Sequence, residues 1–260
     1  MLHLFTYQIR LFFTALMFFT RIPCPTWVGH SEELLNHSAR YFPLVGVLVG
    51  AIAAGAFWTA HLLFATPIAL LLSMAASIWA TGAFHEDGFA DFCDGFGGGW
   101  TQEQVLTIMK DSRIGTYGAV GIGLLLALKF TTLAALPSAY VPWILIAGHS
   151  VSRLASVSLL YTHEYVREDM LSKAKPLAVG MSSTELFIAA ISGLTPLLLL
   201  WPLNAWGWRI LAALLAVFVT RQLLARQFVR RLGGYTGDCL GAVQQVTEVV
   251  FYLLLGIAMV

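Results

Sequence analysis

Long apolar segments recur along this chain, and they restrict its fold more than any other feature. A helix needs about 20 mostly apolar residues to cross the hydrocarbon core of a bilayer. Eight windows of the 260-residue sequence approach that length. They cover approximately residues 4–20, 43–63, 66–84, 117–136, 139–160, 186–203, 208–225 and 243–260. The pattern predicts an all-α fold, a polytopic integral membrane helix bundle in a lipid bilayer.

The first window is the weakest, because it is short and contains Gln8 and Arg10. We therefore expect seven or eight transmembrane helices, and we interpret residues 1–260 as one integral membrane domain without internal repeats. Hydrophobic residues make up 58% of the chain and charged residues only 11%, whereas about 25% charged residues is usual in soluble proteins. This composition excludes a soluble globular protein and a disordered one.

The few charges are concentrated in four long polar connections, at approximately residues 21–42, 85–116, 161–185 and 226–242. These connections contain ten of the 15 Lys and Arg residues and 13 of the 14 acidic residues. By the positive-inside rule they face the cytoplasm, so the sequence predicts one charged cytoplasmic face. A net charge of +1 without a run of basic residues gives no indication of nucleic-acid binding.

The densest group of acidic residues directly follows the third window. Asp87, Asp91 and Asp94 are spaced i, i+4 and i+7, so a helix continuing from that window would carry all three on one narrow stripe. Stacked carboxylates repel one another unless a cation lies among them, and their hard oxygens suit Mg²⁺ or Mn²⁺. The spacing predicts a metal site within an active-site loop at about residues 85–116.

Glycines and cations accompany this stripe. Gly88 and Gly95 lie on its flank, where a missing side chain lets a ligand or a neighbouring helix approach. Lys110 and Arg113 can both face one anion, and Arg113 can bind a phosphate through two parallel hydrogen bonds. Anchoring to lipid headgroups is the alternative for these two cations. The sequence contains neither a nucleophile motif nor a nucleotide-binding loop. A phosphate held by a metal ion therefore favours phosphoryl transfer as the reaction.

Isolated polar residues also interrupt the apolar windows. Gln244 and Glu248 lie one turn apart in the last window, and His149 and Arg153 lie one turn apart in the fifth. An ionisable residue inside a span is by default functional, although hydrogen bonding between helices explains such residues equally well. Asp238 is interpreted as a substrate contact or as a partner of nearby arginines.

Five short motifs are distributed along the chain. Two of them lie in the active-site segment: Glu86–Asp87–Gly88–x–x–Asp91–x–x–Asp94–Gly95 and Met109–Lys110–Asp111–Ser112–Arg113–Ile114–Gly115. The others are Phe19–Thr20–Arg21–Ile22–Pro23, Tyr41–Phe42–Pro43–Leu44–Val45–Gly46 and Gly237–Asp238–x–Leu240–Gly241–Ala242. Together, and in their order along the chain, the motifs resemble those of the cobalamin synthase family. The resemblance spans nearly the whole chain, and it is specific because the motifs occur together.

The resemblance implies a transferase of late cobalamin biosynthesis, an adenosylcobinamide-GDP ribazoletransferase. In that reaction a ribose hydroxyl of α-ribazole, or of α-ribazole 5′-phosphate, attacks the activated phosphate of adenosylcobinamide-GDP. GMP leaves, and adenosylcobalamin or its 5′-phosphate is formed. The resemblance also implies dependence on Mg²⁺ and a location in the bacterial cell inner membrane.

The hypothesis assigns a role to each candidate residue. The carboxylates expected to hold one or two Mg²⁺ ions are Glu86, Asp87, Asp91 and Asp94. Lys110 and Arg113 would stabilise charge on the phosphate oxygens and on leaving GMP. Either Asp94, the first choice, or Glu86, the second, would accept the hydroxyl proton. The substrate contacts are expected at Gly88, Gly95, Lys110, Ser112, Arg113 and Asp238.

Two other functions stay open at this point. A CDP-alcohol phosphotransferase also uses membrane-border aspartates, but its signature requires an Ala–Arg pair and a longer Asp spacing. A divalent-cation transporter would need carboxylates near the middle of the membrane. The sequence also leaves open whether the chain forms a homo-oligomer.

Overall fold

The fold consists of helices, which confirms the predicted all-α class. The structure is a computed structural model that describes residues 2–29, 31–166, 180–200 and 207–257. The described residues form twelve α-helices and no strand, with one isolated bridge between Tyr165 and Tyr235. The helices are α1 (Leu2–Phe19), α2 (Glu32–Ser38), α3 (Phe42–His61), α4 (Thr66–Thr81), α5 (Phe84–Gly98), α6 (Gln102–Met109), α7 (Thr116–Ala134), α8 (Val141–Val157), α9 (Leu159–Thr162), α10 (Ser183–Leu194), α11 (Gly207–Leu232) and α12 (Gly237–Gly256). Three short 3₁₀ helices cover Thr26–Val28, Ala39–Tyr41 and Thr195–Leu200.

The described residues contain six helical segments that are long and apolar enough to cross a membrane. They are Glu32–His61, Thr116–Ala134, Val141–Thr162, Ser183–Leu200, Gly207–Leu232 and Gly237–Gly256. The bent pair α4 and α5 adds a seventh if it counts as one span, and Phe5–Phe19 of α1 is a shorter apolar helix. The chain is therefore a multi-pass membrane bundle, with six or seven spans among the described residues.

Two helices differ from the predicted windows at the charged end of the bundle. Helix α11 continues to Leu232 instead of ending near residue 225, and it stops where Gly233 adopts a φ of 81°. Helix α12 begins at Gly237 instead of residue 243, because the Thr236 hydroxyl accepts a hydrogen bond of 3.4 Å from the Cys239 N–H and caps the helix. Asp238 therefore lies in the first turn of a helix.

Glycines allow the central helices to approach closely. A β-carbon on Gly50 of α3 would lie 2.7 Å from the Ile146 Cα in α8, and one on Gly46 would lie 2.8 Å from the Arg153 Cδ. Such contacts replace the hydrophobic effect as the source of packing energy between helices in lipid, where apolar surface is not removed from water.

The long polar connections meet at one end of the bundle. The Arg21 N–H donates to the Ala80 carbonyl (2.8 Å), which joins the ends of α1 and α4. The Gln102 amide donates to the Leu232 carbonyl at the end of α11 (2.8 Å). At the start of α10, Glu185 contacts Arg40 and His37 just before α3. We call this end of the bundle the polar face.

Cysteine labelling can test this arrangement. In a chain whose cysteines are all replaced by serine, Leu63→Cys in the α3–α4 connection and Trp100→Cys after α5 place thiols at positions that are 78% and 90% exposed. Because the two positions lie at opposite ends of the bundle, we expect a membrane-impermeant maleimide to label only one of them in intact cells. Permeabilised cells should show both labelled. Labelling of both positions from one side would contradict the fold.

Candidate functional site

The acidic helix α5 lies nearly perpendicular to the span before it. Gly82 and Ala83 both adopt left-handed conformations, with φ of 69° and 61°, and α4 and α5 meet at 88°. The prediction that the stripe continues straight from the third window is therefore wrong. Gly82 also lies against Arg21, because a β-carbon on it would lie 2.5 Å from Nε of that side chain. Helices α5 and α6 occupy most of the active-site segment.

The three aspartates of the stripe have very different environments. Asp87 is exposed, Asp91 is half-buried and Asp94 is buried. The carboxylate of Asp94 accepts hydrogen bonds from the backbone N–H groups of Gly115 (2.7 Å) and Gly118 (2.8 Å). It therefore caps the N-terminus of α7, where free N–H groups and the helix dipole favour a negative charge. Metal binding or proton transfer by Asp94 would compete with these hydrogen bonds.

Helix α5 is packed against α12 through a glycine pair. A β-carbon on Gly88 would lie 3.1 Å from the Asp238 Cα, and one on Gly241 would lie 3.1 Å from the His85 carbonyl oxygen. The structure thus brings Asp238 beside the acidic helix, although 150 residues separate Gly88 from it in the sequence. Gly95 has a different neighbour, because the Met109 side chain of α6 fills the space that a side chain would need.

The basic residues lie in an exposed turn between α6 and α7. Lys110, Ser112 and Arg113 are all exposed. Arg113 binds Asp111 through two side-chain contacts, Nε to Oδ1 at 3.0 Å and the terminal nitrogen to Oδ2 at 2.7 Å. This pairing lowers the pKa of the Asp111 carboxyl to about 2, so the pair stays ionised at neutral pH. The Arg113 guanidinium, which we predicted to bind a phosphate, therefore binds the carboxylate of Asp111 in the same turn.

The carboxylate of Glu86 forms a second contact between α5 and α12. Its Oε1 accepts a hydrogen bond of 2.9 Å from the Gln245 amide. Its Oε2 is buried and has no hydrogen-bond partner among the described residues. Within the same part of the chain, no group of three or more His, Cys, Asp or Glu side chains is placed to hold a metal ion.

A buried ionic cluster lies deeper in the bundle, and we call it the Glu248 cluster. The Glu248 carboxylate is fully buried, and it contacts Lys129 of α7 (2.5 Å) and His149 of α8 (3.3 Å). It also accepts hydrogen bonds from Gln244 (2.5 Å) and Tyr252 (3.1 Å) on its own helix. The sequence singled out four residues of this region, but it paired none of them across helices. Lys129 is a single charge in an apolar span, for which the sequence favours an amine that reaches out to the membrane surface. The structure shows instead that Lys129 contacts Glu248 inside the bundle.

The fold and the site define the class of this protein, a multi-pass α-helical membrane protein whose polar face is built around an acidic helix. A family model described as Cobalamin-5-phosphate synthase matches residues 11–256. The chain belongs to this family, which confirms the assignment from the five motifs.

The relatives with curated names support the same assignment over almost their whole length. The adenosylcobinamide-GDP ribazoletransferase of Shewanella frigidimarina is 48% identical over 252 residues, which cover 95% of this chain and 94% of the relative. The protein of the same name from Shewanella amazonensis is 47% identical over 254 residues, 96% of either chain. No solved structure matches the chain.

The position of Asp94 predicts a loss of stability on truncation. Asp94→Ala would leave the Gly115 and Gly118 N–H groups without an acceptor at a buried site, and we expect a cost of about 2 kcal/mol. Denaturant unfolding in detergent, without added metal, measures it. Asp87→Ala is the matched control, since Asp87 is exposed and should change stability by less than about 0.5 kcal/mol. Equal effects of both variants would argue against the capping role.

Proposed function

We propose that the chain transfers the adenosylcobinamide phosphate moiety of adenosylcobinamide-GDP to a ribose hydroxyl of α-ribazole or α-ribazole 5′-phosphate, with release of GMP. The near full-length similarity to relatives that carry the name of this activity is the observation on which the proposal rests. The product is then adenosylcobalamin or its 5′-phosphate.

The polar face offers a suitable place for this reaction. Asp87 is exposed and Asp91, one turn later on α5, is half-buried, and the first turn of α12 with Asp238 lies beside that helix. The donor carries a pyrophosphate, and the acceptor carries a phosphate when it is α-ribazole 5′-phosphate, so the site has to neutralise charge rather than provide a nucleophile. Apolar substituents of a large substrate can remain in the bilayer while the phosphates stay at its surface.

Mg²⁺ is part of the proposal, with Asp87 and Asp91 as its protein ligands. Protein sites for Mg²⁺ commonly provide one or two carboxylates and leave other positions to water and substrate phosphates. Two hard oxygen donors one turn apart fit that pattern, whereas Asp94 is engaged with α7. When bound, Mg²⁺ would neutralise charge on the pyrophosphate.

Lys110 and Arg113 would stabilise the negative charge of the phosphates from the α6–α7 turn. Arg113 would exchange the carboxylate of Asp111 for a phosphate oxygen, which requires only a side-chain rotation because both residues lie in an open turn. Ser112 lies between them and provides a hydroxyl for the same anion.

Glu86 is the better placed of the two candidates for accepting the proton of the attacking hydroxyl. Gln245 orients its carboxylate through one oxygen, and the other oxygen lacks a partner within the described residues. Asp94 would first have to give up its hydrogen bonds to α7. The proposal therefore reverses our order from the sequence, and it assigns Asp94 to positioning α7.

The proposed location is the bacterial inner membrane, with the polar face toward the cytoplasm. The positive-inside rule supports this orientation, since ten of the 15 basic residues lie in the four long polar connections of the sequence. A homo-oligomer stays a prediction.

Product analysis tests the activity directly. Purified protein in lipid is supplied with adenosylcobinamide-GDP, α-ribazole 5′-phosphate and Mg²⁺, and the expected products are GMP and adenosylcobalamin 5′-phosphate. Parallel reactions with α-ribazole measure the acceptor preference. Transfer from a CDP-alcohol, or uptake of divalent cations by proteoliposomes without any nucleotide, would support the alternative functions instead.

Loss of one stripe carboxylate should remove most of the activity. Asp91→Asn keeps the shape of the side chain but not its charge, so we expect Mg²⁺-dependent GMP release to fall by about a hundredfold or more. Glu103→Gln, an exposed change in the first turn of α6, is the control and should retain activity. Full activity of Asp91→Asn would refute the proposal that the aspartates of α5 hold Mg²⁺.

The role of Glu86 can be separated from that of the metal. Glu86→Gln can still accept the hydrogen bond from Gln245, but it cannot take a proton, so kcat should fall by about 10²–10⁴-fold while KM changes little. Rates measured across pH should also lose their acidic limb. Glu33→Gln, exposed at the start of α2, serves as the control. A raised KM with unchanged kcat would show that Glu86 binds substrate instead.

A further inference from the structure

The end of α11 carries three arginines, Arg226, Arg230 and Arg231, which we call the arginine patch. The sequence contains no acidic residue between Glu185 and Asp238, so the helix offers these cations no acidic partner of its own. Arg226 and Arg230 are exposed, and neither forms an ion pair or a hydrogen bond within the described residues. The patch therefore presents positive charge that no carboxylate in the described part of the chain compensates.

The two exposed arginines continue the outward face of α11. Leu215, Val219 and Leu223 are exposed apolar residues in the middle of this helix. Spacings of three and four residues place Arg226 and Arg230 on the same face as these side chains. The buried residues of the helix lie on the opposite side and include Ala213, Val217, Arg221, Ala225 and Phe228. In a membrane the outward face contacts lipid, so the two arginines also point toward lipid.

The depth of the two arginines corresponds to that of the phospholipid headgroups. Trp208, an exposed aromatic residue of the kind that marks membrane interfaces, lies near the other end of α11. Arg226 follows it by about 27 Å along the helix axis, and Arg230 follows it by about 33 Å. Because the hydrocarbon core is about 30 Å thick, both guanidinium groups lie at its boundary, where lipid phosphates are found.

The patch also has a concave shape. An open groove of about 490 Å³, a volume typical of sites for small ligands, is lined by Arg226, Gln227, Arg230 and Arg231. Arg231 is held on the α5 side of the groove, because its terminal nitrogen donates to the Gly99 carbonyl (2.5 Å) and its guanidinium lies 5.4 Å from the centre of the Phe96 ring. One guanidinium is thus fixed in place, and the other two have donors for a ligand.

We propose that the arginine patch binds the headgroup of an anionic phospholipid. Arg226 and Arg230 would donate N–H groups to the phosphate, whose oxygen atoms suit the planar guanidinium group. A headgroup with a net negative charge is favoured over a zwitterionic one, because only the former compensates the charge of the patch. The acyl chains would lie along the exposed apolar face of α11.

Lipid binding to the purified protein in detergent tests this site. Native mass spectrometry gives the dissociation constants of phosphatidylglycerol and of phosphatidylcholine with the same acyl chains, and wild type should bind phosphatidylglycerol more tightly. A basic residue near the membrane surface contributes about fivefold to the affinity for an anionic lipid. The double variant Arg226→Gln/Arg230→Gln should therefore weaken phosphatidylglycerol binding about twenty-fivefold and leave phosphatidylcholine unchanged. Arg226→Gln alone, with an expected loss of about fivefold, serves if the double variant does not fold.

Arg209→Gln is the matched control. It also removes one positive charge from α11, but near the other end of the helix, where the Arg209 guanidinium lies 5.6 Å from the centre of the Trp208 ring. Its replacement should leave the preference for phosphatidylglycerol unchanged. Arg226→Lys/Arg230→Lys keeps both charges and should retain most of that preference.

Three results would overturn the lipid site. The first is equal affinity of wild type for the two lipids. The second is a loss in Arg209→Gln as large as that in Arg226→Gln, because it would indicate a general effect of net charge. The third is displacement of phosphatidylglycerol by millimolar inorganic phosphate, since this would assign the groove to a soluble anion. Phosphatidylglycerol binding that persists in inorganic phosphate and depends on Arg226 and Arg230 would support the site.

Discussion

The buried carboxylate of Glu248 is the interaction on which the bundle depends most. It accepts contacts from Lys129 on α7 and His149 on α8, so three helices converge on one group that is fully shielded from water. An unpaired charge at that depth would cost several kcal/mol, which means that each partner constrains where the other helices can lie. Apolar packing in lipid is tolerant of sliding and rotation, whereas this cluster permits one register.

The same register positions the polar face. Fixing α12 by Glu248 also fixes Gln245, Gly241 and Asp238, which lie toward its N-terminus and contact α5. Helix α5 is then held on its other side by Asp94 at the start of α7. The acidic helix is thus clamped between two spans that are themselves joined through Lys129. Carboxylates on one helix repel one another, and this clamp holds them at fixed positions against that repulsion.

The sequence predicted the features that depend on local patterns. Apolar windows identified the spans, and the motifs identified the family, which the full-length relatives confirm. The turn into α5 escaped prediction because Ala83, unlike a glycine, carries no signal for a left-handed conformation. Helical periodicity correctly placed Asp94 near Asp87 and Asp91, but the partner that turns its carboxylate inward comes from a glycine-rich helix start 21 residues later. Periodicity describes one helix and cannot show which other helix end it meets. The roles of the site residues stay predictions.

Two buried arginines show that burial and hydrogen bonding are separate properties inside such a bundle. Each of the three guanidinium nitrogens of Arg221 has an acceptor, provided by Ser158, Thr162 and Gln222, so its charge is stabilised within the fold. Arg153 is equally buried, but its Nε–H has no acceptor in the described part of the chain. Glu86 of the acidic helix acts on the charge of Arg153 without a contact. Burial alone therefore does not show whether direct contacts or a more distant charge compensates an arginine.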